Sequence, residues 1–240
     1  MTEQADPATT LRAIVSEGIA IDLFHAHEAS SLALEIGEKA DGINRATFGA
    51  FFGSMQIILN RFHALSVARM FERPNKKYTL RSIPGAISVL RAHATTMPIE
   101  QRPGLEDELC RLGANKHEVS TLSDGELTAF VADFFEGRLR DIVVGELTGE
   151  QLLENVKLLR DKILAHHEHV DFDAMRKPTY SEFDALLQFA REFVSTIGFG
   201  YLSIVYSDDS GAYGLDSDAT RSTRSLRRLL AHVGVTSDDA

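Results

Sequence analysis

The chain has 240 residues, of which 44% are hydrophobic, and it carries a formal net charge of −10. This length and apolar content suffice for one large domain, or for one domain with an appendage. The single cysteine, Cys110, excludes an internal disulfide framework, and the negative charge argues against a general nucleic-acid coat.

Two long helical patterns dominate the first part of the chain. Residues 8–39 predict one long helix, or two helices with a break near 25–31, and Pro7 suits the first helical turn. Residues 40–42 predict a turn. Residues 44–72 have apolar side chains at helical spacing and predict a second long helix. Its broad apolar stripe comprises Phe48, Phe51, Phe52, Met55, Ile58, Leu59, Phe62, Leu65 and Met70.

Capping residues predict where the later helices begin. Thr79 is a candidate cap for a shorter helix with Pro84 near its first turn. Thr148 or Gly149 begins the later helix over 149–170. Two Ser/Thr-x-x-Glu phrases, one at Ser123 and one at Thr179, fit the capping box. The predicted helices after residue 72 are 79–93, 123–141, 149–170, 179–206 and 218–233.

These patterns predict an all-α fold, a multi-helix bundle with long antiparallel helices. We expect residues 8–206 to form the bundle, and residues 207–240 to add an acidic loop and a C-terminal helix. Strand alternation is limited to a patch at 201–206. The polar N-terminus lacks the order of a signal peptide, and the longest apolar run, 193–206, is too short to span a membrane. We therefore expect a soluble, cytoplasmic protein with no membrane partner.

Positive charge is concentrated in one segment, residues 60–91, which has seven cations and one anion, Glu72. Its cations are Arg61, Arg69, Arg73, Lys76, Lys77, Arg81 and Arg91. A second basic cluster comprises Arg221, Arg224, Arg227 and Arg228. Charge counts alone favour solvated helix faces. The alternative is a face that receives a polyanion.

Arg160 occupies an unexpected position in the helix predicted over 149–170. On a helical wheel that advances about 100° per residue, it projects from the middle of the apolar arc formed by the neighbouring leucine, isoleucine and valine residues. A permanent charge on a face built for burial is costly unless it is paired or lies at an interface. The position therefore indicates either a functional site or a salt bridge to a buried acid.

Two phrases in the sequence resemble a known family. Arg160 is followed by the polar Asp161 and, after five intervening residues, by His166, which resembles the Arg-x(4 to 6)-His signature of the HEPN superfamily. The stretch 66–72, Ser-Val-Ala-Arg-Met-Phe-Glu, and the later phrase 159–166, Leu-Arg-Asp-Lys-Ile-Leu-Ala-His, resemble the abortive-infection AbiU-like branch. Glu72 stands where that branch is expected to have Asp.

The resemblance implies a metal-independent endoribonuclease of toxin or antiphage type, which acts on single-stranded RNA without a cofactor. Arg160 and His166 would be its catalytic residues and would meet at the interface of a two-fold homodimer, so that the apolar arc becomes an intersubunit seam. An antitoxin or regulatory protein is a further candidate partner. The alternative is a catalytically silent HEPN-type module that binds a protein or nucleotide in phage defence or stress signalling, so the sequence leaves enzymatic activity open.

Other assignments for the histidines stay open as well. His167 also obeys the signature spacing and lies closer to the face of Arg160, whereas the family phrase Ala-His favours His166. His166 could instead be a core histidine. Two stretches, 166–173 and 25–28, are rich in metal-capable side chains, but helical ligands are expected three or four residues apart. A metallohydrolase is therefore the weaker enzyme hypothesis, and no metal ligand is assigned.

Overall fold

The computed structural model describes residues 6–74, 80–161, 178–206 and 216–235. It is an all-α bundle with one very short hairpin, which confirms the predicted fold class. The helices in chain order are α1 (Pro7–Ile14), α2 (Ala20–Glu38), α3 (Ala40–Arg45), α4 (Gly49–Met70), α5 (Ile83–Ala92), α6 (Arg102–Arg111), α7 (Lys116–Thr121), α8 (Asp124–Arg140), α9 (Gly149–Leu159), α10 (Tyr180–Leu202) and α11 (Asp216–His232). The hairpin pairs β1 (Val143–Val144) with β2 (Leu147–Thr148) in antiparallel register.

The N-terminal helical pattern is one continuous rod. A π-helical turn, Val15–Ile19, joins α1 to α2, and Asp6 caps the N-terminal end by accepting a hydrogen bond from the Thr9 amide. The alternative of a break near 25–31 is wrong, because α2 runs through that stretch. The irregularity lies earlier, where Gly18 packs so closely against Arg81 that a Cβ would lie 2.4 Å from that side chain.

The antiparallel pair α2 and α4 forms the long side of the bundle. The Gln56 amide nitrogen donates to the Ala33 carbonyl oxygen, and Nδ1 of His63 lies 2.8 Å from the Ala26 carbonyl oxygen. The expected turn at 40–42 is instead the short helix α3, and α4 begins five residues later than predicted. Thr47, with a φ of 63°, separates the two helices.

Capping residues fix the beginnings of several helices. The capping boxes at Ser123 and Thr179 are both present, as predicted. Ser82 caps α5 through the Gly85 amide, whereas the predicted cap Thr79 lies outside the described residues. The helices α6 and α7 were not predicted. The helix α10 ends at Leu202, and Ser203 after it adopts a left-handed conformation. The patch of strand character at 201–206 is therefore the end of a helix followed by coil.

Two apolar clusters hold the helices together. The main core surrounds α10, where Phe135 makes T-shaped contacts with Phe189 and Phe193 at ring-centroid distances of 6.0 and 5.0 Å. A smaller cluster joins α11 to α2, α3 and α4, and it comprises Ile36, Ile43, Phe52, Leu230 and Val235. The boundary expected at residue 206 stays a prediction. Within the described residues, no helix is long and apolar enough to cross a membrane.

Candidate functional site at the junction of helices α4 and α9

The helix α9 carries Arg160 at its C-terminal end and is fixed firmly at its start. Thr148 and Gln151 form a capping box there, with the Thr148 amide donating to the Gln151 side chain at 2.9 Å. Gly149 follows directly and packs against α8 so tightly that a Cβ would lie 2.0 Å from the Leu139 carbonyl oxygen. The position of Arg160 is thus set from the far end of its helix by backbone contacts.

Arg160 lies between two carboxylates. Its Nη1 lies 3.2 Å from Oε1 of Glu72, while its Nε and Nη2 each lie 2.7 Å from Oδ1 of Asp161. The side chain is 20% exposed. A guanidinium has five N–H groups in a fixed plane, so two or more stay available for another acceptor after these contacts. The arrangement can present a planar, oriented cation to an anionic group.

A groove of about 360 Å³ opens beside this guanidinium. Its apolar part includes Phe71 and Leu153, and its polar rim has both signs of charge. The charged residues that line it are Glu72, Arg73, Glu150, Glu154, Lys157 and Arg160. A second groove, of about 510 Å³, shares Phe71, Arg73, Glu150 and Leu153 with the first and continues past Arg140. The two grooves therefore form one extended surface.

The structure corrects the expected role of the apolar arc around Arg160. Leu152 and Val156 are buried inside the same chain, and Leu153 packs on its main core. That part of the arc therefore cannot form an intersubunit seam. The arginine emerges where the arc meets the groove, and its charge is balanced there by Glu72 and Asp161.

The predicted catalytic histidine, His166, and its rival His167 lie outside the described residues. Of the two predicted catalytic residues, the structure thus places Arg160, and the meeting of Arg160 with an imidazole stays a prediction. The residue missed by sequence reasoning is Glu72. The family phrase drew attention to it, but its contact with Arg160, 88 positions later in the chain, depends on how α4 packs against α9.

Most described cations of the basic segment are already paired. Arg69 binds Asp22, Arg81 binds Glu17 at 3.2 Å, and Arg91 binds two carboxylates of α8 at 2.7 Å each. These pairs favour the interpretation as solvated helix faces over a bare polyanion surface. Arg73 differs, because its nearest carboxylate in the described chain, on Glu150, is 3.9 Å away and its side chain is mostly exposed.

The histidines near residue 25 serve separate contacts. The His25 ring contacts Phe62 in a tilted arrangement at a centroid distance of 5.3 Å, His27 lies 2.8 Å from Arg191, and Glu28 accepts a hydrogen bond from Ser222. Within the described ranges, no group of three or more His, Cys, Asp or Glu side chains is arranged to hold a metal ion. The other stretch, 166–173, lies outside those ranges.

The helical bundle and its arginine-bearing helix define the class as an all-α protein with a candidate anion-binding groove. The model of the HEPN family described as AbiU2 matches residues 9–221, and the chain belongs to that family. Comparisons with curated proteins and with solved structures give no match.

Proposed function

We propose that this HEPN-type protein is a metal-independent endoribonuclease of toxin or antiphage type that cleaves single-stranded RNA. The observation that supports the proposal best is the orientation of Arg160 at the edge of an open groove. Its guanidinium plane is held by Asp161 and Glu72 and keeps N–H groups for a further acceptor. A planar cation of this kind suits the non-bridging oxygens of a phosphate.

Metal-independent RNA cleavage requires proton transfer and stabilisation of the negative charge on the phosphate. The RNA 2′-oxygen forms a bond to the adjacent phosphorus and gives its proton to a base, while the bond from phosphorus to the 5′-oxygen breaks and that oxygen gains a proton. His166 would act as the base or the acid, since imidazole titrates in the physiological range. Arg160 would stabilise the charge that accumulates on the pentacovalent phosphorus. The products are a 2′,3′-cyclic phosphate and a 5′-hydroxyl.

The direct test uses end-labelled single-stranded RNA in excess chelator, with analysis of the product ends. The wild-type chain is expected to yield 2′,3′-cyclic phosphates, and Arg160→Ala and His166→Ala should each lower the rate by about 100-fold or more. Arg111→Ala is the matched control, because it removes an arginine that also pairs with a carboxylate, Glu108, outside the groove. His167→Ala identifies which histidine acts.

A second candidate function is a catalytically silent module that binds a protein or nucleotide. The two carboxylates beside Arg160 favour it, because Glu72 and Asp161 compete with a phosphate for the same guanidinium. Absence of cleavage by a correctly folded chain would select this function. Cleavage that requires an added metal would instead support a metallohydrolase and contradict the proposed mechanism.

A further inference from the structure

The helix α11 has a row of basic side chains on its outer face. Arg221, Arg224 and Arg228 follow one another at spacings of three and four residues, so they lie within about 60° of one another around the helix. All three are exposed. These residues are called the arginine stripe below. The family match ends at residue 221, so the stripe is not a feature that this match covers.

The opposite side of α11 is fixed to the bundle. Leu230 is buried in the smaller apolar cluster, and the Ser222 hydroxyl donates to Glu28 of α2. Arg227 donates from Nε and Nη2 to Oε2 of Glu35, whose side chain is only 1% exposed. Rotation of α11 about its axis would break these contacts. The helix therefore holds the arginine stripe towards solvent.

Two arginines of the stripe keep their charge available for a ligand. In the part of the chain that the structure describes, neither Arg224 nor Arg228 forms an ion pair. They differ in this from Arg69, Arg81 and Arg91, each of which is paired with an acid of another helix. A polyanion that approaches the stripe therefore does not have to displace a carboxylate from either arginine.

The composition and spacing of the stripe indicate a ligand with repeated phosphate groups. The cations of α11 are all arginines, with no lysine among them. A planar guanidinium binds two phosphate oxygens at once, which an ammonium group does not. Side chains three or four residues apart on a helix are about 5–6 Å apart, and a flexible single strand can place successive phosphates at that spacing.

A lipid surface and an acidic peptide fit the stripe less well. Membrane-surface helices insert their apolar face into the lipid, whereas the apolar side of α11 is covered by its own bundle. A peptide binds tightly where apolar anchors enter a pocket. The two grooves described above are lined by other helices, and the stripe lies on the convex surface of α11.

We propose that the arginine stripe binds the phosphate backbone of single-stranded RNA, as a second contact outside the groove that contains Arg160. The identity of the polyanion rests on the proposed function. A tetranucleotide has three linking phosphates, which the groove cations Arg73, Lys157 and Arg160 suffice to bind. A strand of about 20 nucleotides leaves most of its phosphates free for α11. The stripe should therefore affect the binding of long strands and not of short ones.

The first experiment measures fluorescence anisotropy with two labelled strands of 2′-O-methyl RNA, a tetranucleotide and a strand of about 20 nucleotides. The methyl group blocks attack by the 2′-oxygen, so binding is measured whether or not the chain cleaves RNA. Arg224→Gln combined with Arg228→Gln should weaken binding of the longer strand by about tenfold near physiological salt. The slope of log K against log salt should become shallower by about 1.4, because two phosphate contacts are lost. Binding of the tetranucleotide should not change.

The matched control is Arg61→Gln combined with Lys116→Gln. Both residues are exposed, and neither forms an ion pair within the described residues, so this variant removes the same charge at other places on the surface. It should bind both strands as the wild type does. The unchanged affinity for the tetranucleotide also shows that each variant is folded.

The second experiment is a gain of affinity, which a folding defect cannot imitate. Ser225 is exposed beside the stripe, and its hydroxyl donates only to the Arg221 carbonyl oxygen of the preceding turn. Ser225→Arg adds a cation next to the other three. It should strengthen binding of the longer strand by about fourfold near physiological salt and make the slope steeper by about 0.7.

Several outcomes would overturn the proposal for the stripe. They are a wild-type chain that does not bind the longer strand, full affinity of the Arg224→Gln and Arg228→Gln variant, an equal loss in the control variant, or an equal loss for the tetranucleotide. Binding to phosphatidylcholine–phosphatidylserine vesicles that the same variant abolishes would assign the stripe to a membrane instead.

The ribonuclease proposal fails separately from the proposal for the stripe. Binding of the longer strand through the stripe, with no cleavage of unmodified RNA, overturns the ribonuclease alone. Cleavage of a long unmodified RNA with a KM that Arg224→Gln and Arg228→Gln leave unchanged overturns the stripe alone. If both proposals hold, this variant raises the KM for the long RNA and leaves kcat as in the wild type, because Arg160 and His166 are unchanged.

Discussion

The position of Arg160 in the sequence indicates a functional site or an ion pair, but the sequence does not predict all of its partners. The helical wheel identifies a cation within an apolar arc, and the physical cost of that position predicts a pairing partner or an interface. The structure provides pairing with Glu72 and Asp161 at the mouth of a groove. Asp161 could be expected from adjacency. Glu72 could not, because its position depends on the packing of two helices far apart in sequence.

His63 is the clearest case of a histidine buried for structural reasons. It lies on the inner side of α4, packs edge-on against Phe183 at 4.9 Å, and donates from Nδ1 to the Ala26 carbonyl oxygen. Burial lowers the pKa of His63 below its usual value of 6.5, and the backbone hydrogen bond only partly opposes this. The neutral form is therefore the one that the fold accommodates.

The pH dependence of stability should reflect this histidine. The pKa of His63 is lower in the folded state than in the unfolded state. The contribution of the neutral side chain to the free energy of unfolding is therefore complete above about pH 6.5, and it is lost as the pH falls through that value towards the folded pKa. Urea unfolding at pH 7.5 and pH 5.5 should therefore show a larger loss of unfolding free energy for wild type than for His63→Gln, which keeps a donor but cannot become charged.

The control for this titration is the exposed His117. His117→Gln should lose as much stability as wild type between the two pH values, because His117 lies on the surface and the substitution leaves the buried His63 unchanged. An identical pH response of wild type and His63→Gln would contradict the burial argument.

At the scale of elements, the helix starts that carry a capping box were predicted to within one residue. Ser123, Thr148 and Thr179 each combine a side-chain cap with a partner three residues later, and this local chemistry does not depend on the rest of the fold. Ends depend on packing. The helix α10 ends at Leu202 and not near residue 206. The chain folds back after it, so that Tyr206 packs against Gly198.

The start of α9 offers a direct test of how the site is positioned. Gly149→Ala would place a methyl group 2.0 Å from the Leu139 carbonyl oxygen, so the end of α8 and the start of α9 must separate. We expect a loss of about 1–3 kcal/mol in the free energy of unfolding. RNA cleavage, where present, should fall with it, because α9 carries Arg160. Chemical denaturation measures the first effect and the labelled-RNA assay the second.

Gly137→Ala in α8 is the matched substitution. A Cβ at Gly137 meets no atom within 4 Å, so the same change should stabilise the protein by about 0.4–1 kcal/mol through the unfolded chain. If Gly149→Ala were equally stabilising, the close packing of α9 on α8 would not be what fixes the start of that helix.

At the scale of the whole molecule, the apolar pattern predicted the class of fold, whereas the charge pattern did not predict which charges would pair. Helical periodicity accounts for the bundle, because a stripe of apolar residues must be buried somewhere. Periodicity cannot tell which stripe faces inwards, and α4 presents one to its own core and another to the surface. In the same way, the excess of cations in residues 60–91 gave no sign that Arg69, Arg81 and Arg91 would pair with acids of other helices.

These pairings set an expectation for how RNA binding depends on salt. Each phosphate neutralised on a single strand contributes about −0.7 to the slope of log K against log salt. The cations that line the groove beside α9 are Arg73, Lys157 and Arg160. Contacts to two or three phosphates predict a slope of about −1.4 to −2.1, whereas a basic segment engaged through five or more cations would give about −3.5 or steeper.

The slope can be measured by fluorescence anisotropy with a short labelled RNA between 50 and 200 mM salt, a range in which these two values differ clearly (order of magnitude from counterion release). Arg73→Ala should make it shallower by about 0.7, and Arg91→Ala should leave it unchanged because Arg91 is already neutralised by Asp133 and Glu136. A slope near −3.5, reduced by Arg91→Ala, would mean that RNA displaces those carboxylates and that binding extends beyond the groove beside α9 to the second groove, which Arg91 lines.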